Sequence, residues 1–206
     1  MTTGAGKTGL PRAWQRMLSG RRLDLLHPSA DDIAIEDIAH GLARVARWNG
    51  QTRGQHAFSV AQHAVLVTDI AVAIDPGLAV SWRRAALLHD APEYVIGDLI
   101  SPFKAAIGLD YKAFEERLQA AIHARFSLPH PLPDAVRSAI KRADRVAAYY
   151  EATGLAGFSL EEAERYFGPL EALPEEFAAS LRSAEPLAVA DAQHLFLTAF
   201  ATVAEA

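Results

Sequence analysis

Adjacent His89 and Asp90 close the apolar run Ala85-Ala86-Leu87-Leu88, and Glu93 follows three residues on. A packed helix has no use for an imidazole and a carboxylate side by side at its end. Together they suit a metal of intermediate hardness such as Mn, Fe, Co or Zn. Two donors do not make a site. Two further polar residues stand in apolar, helix-like stretches: His63 in Ser59-Val60-Ala61-Gln62-His63-Ala64-Val65, and Asp144 in Ile140-Lys141-Arg142-Ala143-Asp144-Arg145-Val146. His63, His89, Asp90 and Asp144 are therefore the candidate metal ligands, drawn from three helical regions. A metal so held lowers the pKa of a water, and a neighbouring acid such as Glu93 can move protons. Arg47, Arg53 and Lys104 are candidate phosphate donors, because a placed base, and above all a guanidinium fork, matches phosphate oxygens. His56, close to these in sequence, is a second-rank substrate contact.

Each residue taken alone has a plainer role. A lone His63 reads as a core histidine bonded to a carbonyl. Asp144 could pair with Arg142 or Arg145. Glu93 could be a surface acid and Asp98 a turn residue after Gly97. The bases could be solvated, and Trp48 could be a core aromatic. What weighs against these readings is the ordered set.

That set, a His, then His-Asp, then Asp, resembles the HD-domain metal-dependent phosphohydrolases. Arg47-Trp48, Arg53, Ser59-Val60-Ala61-Gln62-His63, His89-Asp90-Ala91-Pro92-Glu93 and Gly97-Asp98-Leu99-Ile100-Ser101-Pro102-Phe103-Lys104 resemble the subgroup that contains bacterial 5'-deoxynucleotidases. The likeness runs from about Leu23 to about Ala152. It implies an all-α helical bundle with the metal between helices. It assigns acid-base work to Glu93 and sets Asp98 near the attacked phosphate. Arg47 then holds phosphate, and Trp48 walls the sugar. The implied activity is hydrolysis of a nucleoside 5'-monophosphate or similar small phosphorylated metabolite with one divalent ion (Mn, Co, Zn, Fe or Mg). Hydrolysis of an alarmone or other nucleotide pyrophosphate is the alternative enzyme, and a metal- and nucleotide-binding regulatory module the alternative class. Glu93 and Asp98 weigh against the module, since ligation alone does not need them.

Composition narrows the field. The chain has 206 residues, half of them hydrophobic, enough for one domain with a substantial core. A formal net charge of −5 argues against a nucleic-acid polymer as partner but allows a local basic pocket. Without cysteine there is no disulfide framework and no thiolate site. No apolar run reaches the ~18 residues of a membrane span. The N-terminal residues lack the apolar core of a secretory signal. A cytoplasmic protein is the expectation, with room for a homodimer.

The elements that must carry these residues follow from periodicity. Residues 1–10 are small and polar and read as a disordered tail, leaving 11–206 as the domain. Gly6-Lys7-Thr8 lacks the earlier glycine and the strand of a P-loop, Met1 standing where that glycine belongs. Trp14 and Met17-Leu18 suggest a short helix, and Arg21 to Pro28 an extended segment. Ile38, Leu42 and Val45 predict a helix from Glu36 that ends near Asn49-Gly50. Ser59 is a plausible N-cap for a helix running to about Ile74. Further helices are expected from Leu78 to the doublet, from Asp110 to Phe126, from Pro133-Asp134 to about Gly154, over Ser159–Phe167, and over Ala190–Val203. Strand signals are almost absent, so the fold class is all-α.

Overall fold

Helices form where the apolar spacing requires them. The computed structural model describes residues 13–99 and 109–204. Its helices, among the described residues, are α1 (Ile35–Leu42), α2 (Val60–Ile74), α3 (Val80–Leu87), α4 (Glu93–Ile96), α5 (Leu109–Arg125), α6 (Asp134–Gly154), α7 (Leu160–Phe167), α8 (Glu175–Arg182) and α9 (Val189–Ala204). The fold is all-α apart from a two-stranded hairpin. The expected tail and Lys104 lie outside the described residues.

Helix α2 is the centre of the bundle. Ser59 caps it, its hydroxyl accepting the backbone N–H of Gln62. Val60, Ala61, Ala64, Val67 and Ile70 are fully buried, so α2 is apolar nearly all round. It packs against α6, α3 and α9. Gln62 is buried as well: its amide donates to the Glu185 carbonyl and accepts the Leu187 N–H. That pairing staples the segment before α9 to the start of α2.

Three local expectations need correction. Trp14–Arg16 is a strand, β1, paired antiparallel with β2 (Arg22–Asp24), where a short helix was expected. Two or three apolar positions cannot distinguish a period of 3.6 from one of 2. The turn is made by Leu18-Ser19-Gly20, with Gly20 at φ 87°, and the Arg22 guanidinium lies 4.4 Å from the Trp14 ring centre. Helix α1 stops at Leu42, well short of Asn49-Gly50. Beyond it the backbone is extended to meet the residues before α2: Arg47 N–H donates to Phe58 O and Val60 N–H to Val45 O. Helix α8 was not anticipated, although Pro174 followed by Glu175 and Glu176 is a start signal.

Gly41 sits inside α1, where glycine costs roughly 1 kcal/mol against alanine. A Cβ there would come within 2.7 Å of the Tyr94 Cβ and 2.9 Å of the Tyr94 carbonyl oxygen. Gly41 thus lets α1 press against α4, the short helix that Glu93 opens. Gly41→Ala is therefore expected to lower the thermal midpoint despite its better helix propensity. An unchanged or raised midpoint would show that α4 yields freely.

Candidate metal centre

His63 stands in the first turn of α2, His89 and Asp90 in the turn after α3, and Asp144 midway along α6. The bundle brings all of them to one place. One ligand atom from each of His63, His89 and Asp90 lies within 4.8 Å of the others, a group that could hold a metal ion. Among the described residues no second group of this kind occurs. The His63 Nε2 is 3.5 Å from Asp90 Oδ2 and 3.2 Å from Asp144 Oδ1, and the His89 Nε2 is 3.2 Å from Asp90 Oδ2. Asp144 is the most open of the four, its side chain 40% exposed, whereas His63 is fully buried.

The tautomers follow from the other ring nitrogens. His89 Nδ1 lies 2.8 Å from the Ala86 carbonyl, so it must carry the proton and donate. His63 Nδ1 lies 2.6 Å from Glu151 Oε1, and Glu151 is ionised: burial opposes its charge, but His63 and Arg47 hold its pKa down at about 2. Both imidazoles therefore turn an Nε2 toward the carboxylates, and both Nε2 atoms are buried without a hydrogen-bond partner. A metal-bound histidine commonly has this arrangement, with its far N–H on a carboxylate or a carbonyl. The electrostatics agree. Burial and the Arg47 charge oppose a proton on His63, yet Glu151, Asp144 and Asp90 together raise its pKa well above the usual value. Asp90 is held well below the carboxylate range by His89 and His63 against its burial, and Asp144 is lowered by His63. The pocket attracts positive charge at the point where the ligand atoms converge, so the residues fit a divalent ion.

Around this cluster the other expected residues divide. Glu93 is buried, 1% exposed, and its backbone N–H donates to the Asp90 carbonyl. Asp98 is joined to the centre through Arg47: the guanidinium lies 3.3 Å from Asp98 and 3.4 Å from Glu151. Arg47 is raised in pKa because these acids outweigh its burial, and its buried Nε has no hydrogen-bond partner. Trp48 donates its indole N–H to Glu151 over 2.9 Å and packs on Phe158 and Phe167. It is thus both tied to the cluster through Glu151 and part of an aromatic cluster. Trp48 and Asn49 adopt left-handed φ of 57° and 51°. Such a backbone is strained for tryptophan, and the indole's partners hold it there. Arg53 and His56 are exposed on the following loop, and neither side chain bonds to the cluster; the Arg53 backbone instead bonds Leu155.

Glu151 was not among the residues expected to matter. It lies two turns beyond Asp144 on α6, in Ala147-Ala148-Tyr149-Tyr150-Glu151-Ala152, an acid in an otherwise apolar and aromatic run. That contrast, which singled out Asp144, could have found it.

His123 and His130 pack against each other, their ring centres 5.2 Å apart. His123 is buried; its Nδ1 lies 3.1 Å from the Pro129 carbonyl and its Nε2 2.6 Å from the Gln119 amide nitrogen. Burial and the neighbouring His130 depress its pKa to about 4, so it is neutral and accepts from Gln119. The same amide donates to the carbonyl of Leu88, the residue before the doublet. Helix α5 therefore buttresses the turn that carries His89.

No family model matches the chain. Two curated proteins are similar to it along most of its length. The protein named "Uncharacterized protein RCAP_rcc00048" of Rhodobacter capsulatus is 61% identical over 159 residues, 77% of this chain and 81% of its own. The protein named "Uncharacterized protein YfdR" of Escherichia coli is 30% identical over 190 residues, 92% of this chain and 95% of its own.

Proposed function

The chain belongs to the family of YfdR and the Rhodobacter capsulatus protein, and from that premise we propose that it is a metal-dependent phosphohydrolase acting on nucleoside 5'-monophosphates or closely similar small phosphate esters. The observation that carries the reading is the pair of buried imidazole Nε2 atoms facing Asp90 and Asp144, each oriented by a bond at its Nδ1. The resemblance to HD-domain phosphohydrolases supplies the reaction class.

His63, His89, Asp90 and Asp144 would hold one divalent ion. That ion would supply a Lewis acid and acidify a water at neutral pH. The side chains do the rest. Arg47, drawn into the site by Glu151 and Asp98, presents a guanidinium to phosphate oxygens and offsets their charge. Water attacks phosphorus, the P–O bond to the sugar breaks, and the departing alkoxide needs a proton. Glu93, one short turn from Asp90 and shielded from solvent, moves that proton. The products are inorganic phosphate and a nucleoside. Asp98 holds Arg47 in place and lies beside the phosphate position. Trp48 bounds the sugar, and a wall of this kind discriminates a hydroxyl by roughly 1–3 kcal/mol. Among the described residues no helix is long and apolar enough to cross a membrane.

The test is phosphate release by metal-stripped protein, reloaded with Mn, Co, Zn or Mg and given a panel of nucleotides and sugar phosphates. Release from nucleoside 5'-monophosphates is expected. Release only from pyrophosphates would move the reading to the alarmone class, and none at all to the regulatory module. Arg47→Lys keeps the charge but loses the fork, so KM is expected to rise for every phosphorylated substrate. Trp48→Ala is expected to change the ratio of deoxyribonucleotide to ribonucleotide turnover. If KM and that ratio both stay at wild-type values, the pocket lies elsewhere.

A further inference from the structure

Three N–H groups from two segments, α2 and the Arg47-Trp48 turn, converge on one carboxylate. Glu151 Oε1 accepts from His63 Nδ1 at 2.6 Å; Oε2 accepts from Trp48 Nε1 at 2.9 Å and faces Arg47 Nη2 at 3.4 Å. The side chain is buried, 1% exposed, so water cannot substitute for a lost partner. All three neighbours are donors. Only an ionised carboxylate offers an acceptor to each of them. A carboxamide would turn its own NH₂ either toward Trp48 and Arg47, donor against donor, or toward His63. In the second case the imidazole proton would move to Nε2, the atom that faces the metal position.

We propose that Glu151 is the positioning residue that sets the His63 tautomer and, through the same carboxylate, locks the Arg47-Trp48 segment, which turns left-handed at Trp48, to the metal centre. The inference rests on the metal reading of the cluster but not on any hydrolytic activity. It makes metal affinity depend also on Trp48, which bonds to none of the four candidate ligands but holds Glu151. Trp48 fixes the outer oxygen of Glu151 and thereby the inner oxygen against His63. It also accounts for the strained backbone at Trp48 and Asn49: the indole N–H must reach α6, and the chain bends to let it.

The test measures the affinity of metal-stripped protein for zinc and cobalt alone, by competition with a chromophoric chelator, with folding checked by circular dichroism. Glu151→Gln is expected to lower affinity about 10–100-fold, the range found for loss of a supporting partner of a ligand. Glu151→Asp, which keeps the charge on a shorter arm, is expected to recover part of it. Trp48→Phe keeps every charge and the ring contacts with Phe158 and Phe167, removes only the N–H, and is expected to lower affinity by a smaller factor. It also serves if Glu151→Gln does not fold. Imidazole ¹⁵N spectra of the zinc-loaded protein should show His63 protonated at Nδ1. Folded Glu151→Gln and Trp48→Phe proteins with wild-type affinity would overturn the proposal, even if their thermal midpoints fall. So would a His63 ring protonated at Nε2. A wild-type protein that takes up no metal overturns the metal reading and this one with it.

Discussion

Replacing His89 with alanine is expected to abolish metal uptake and hydrolysis together. His89 supplies one of the two buried Nε2 atoms, and no other imidazole among the described residues faces the point where His63 and Asp90 converge. Losing a residue that only supports a ligand costs about 10–100-fold in metal affinity. Losing the ligand itself must cost more, so the variant should carry no stoichiometric metal after dialysis. The backbone should tolerate the change. His89 lies at the end of α3, partly exposed, and its Nδ1 bond to Ala86 spans a single turn. Metal analysis beside circular dichroism reads the two effects separately. A folded His89→Ala protein that retains one metal per chain would remove His89 from the centre.

Glu93→Ala is expected to behave in the opposite way, keeping the metal and losing turnover. General acid-base assistance contributes about 10²–10⁴-fold, so kcat should fall by that factor. Glu93 is not one of the three tightly grouped ligand residues, though it starts the helix that follows them. Single-turnover phosphate release in the metal-loaded variant is the measurement. A rate equal to wild type would take Glu93 out of the mechanism. Loss of metal together with rate would make it a ligand.

The ordered candidate ligands were legible because each violates its surroundings. A histidine in Val60–Val67, an aspartate in Ile140–Val146 and a His-Asp pair after Ala85–Leu88 all lack a packing reason. The longer helices were legible for the complementary reason, that α2, α5, α6 and α9 are long enough for a period of 3.6 to declare itself. The hairpin was not, because three-residue strands carry no period. The end of α1 was not, because nothing local stops a helix at Leu42. It stops because Val45 and Arg47 bond the segment before α2, a contact between residues far apart in the chain. Glu151 was overlooked for a related reason. Its three donors come from α2 and from the Arg47-Trp48 turn, and only the fold brings them together.

The pairing of Arg47 with both Asp98 and Glu151 links the two halves of the proposed site. One half would hold the ion and the other the phosphate, and Arg47 pairs with an acid of each, Glu151 and Asp98. The proposed phosphate site therefore needs no broad basic field, which fits a chain of net charge −5. A single guanidinium, held between acids and with its Nε still to be satisfied, would supply the local charge.

The most direct measurement is a co-titration. Metal-stripped protein is given increasing cobalt or manganese, and bound metal and the rate of phosphate release from a nucleoside 5'-monophosphate are read on the same samples. The account predicts that both rise together and break at one ion per chain, with neither rising in His89→Ala. Phosphate release at full rate from the stripped protein, or a metal-saturated protein that releases none from any phosphorylated substrate, would contradict it.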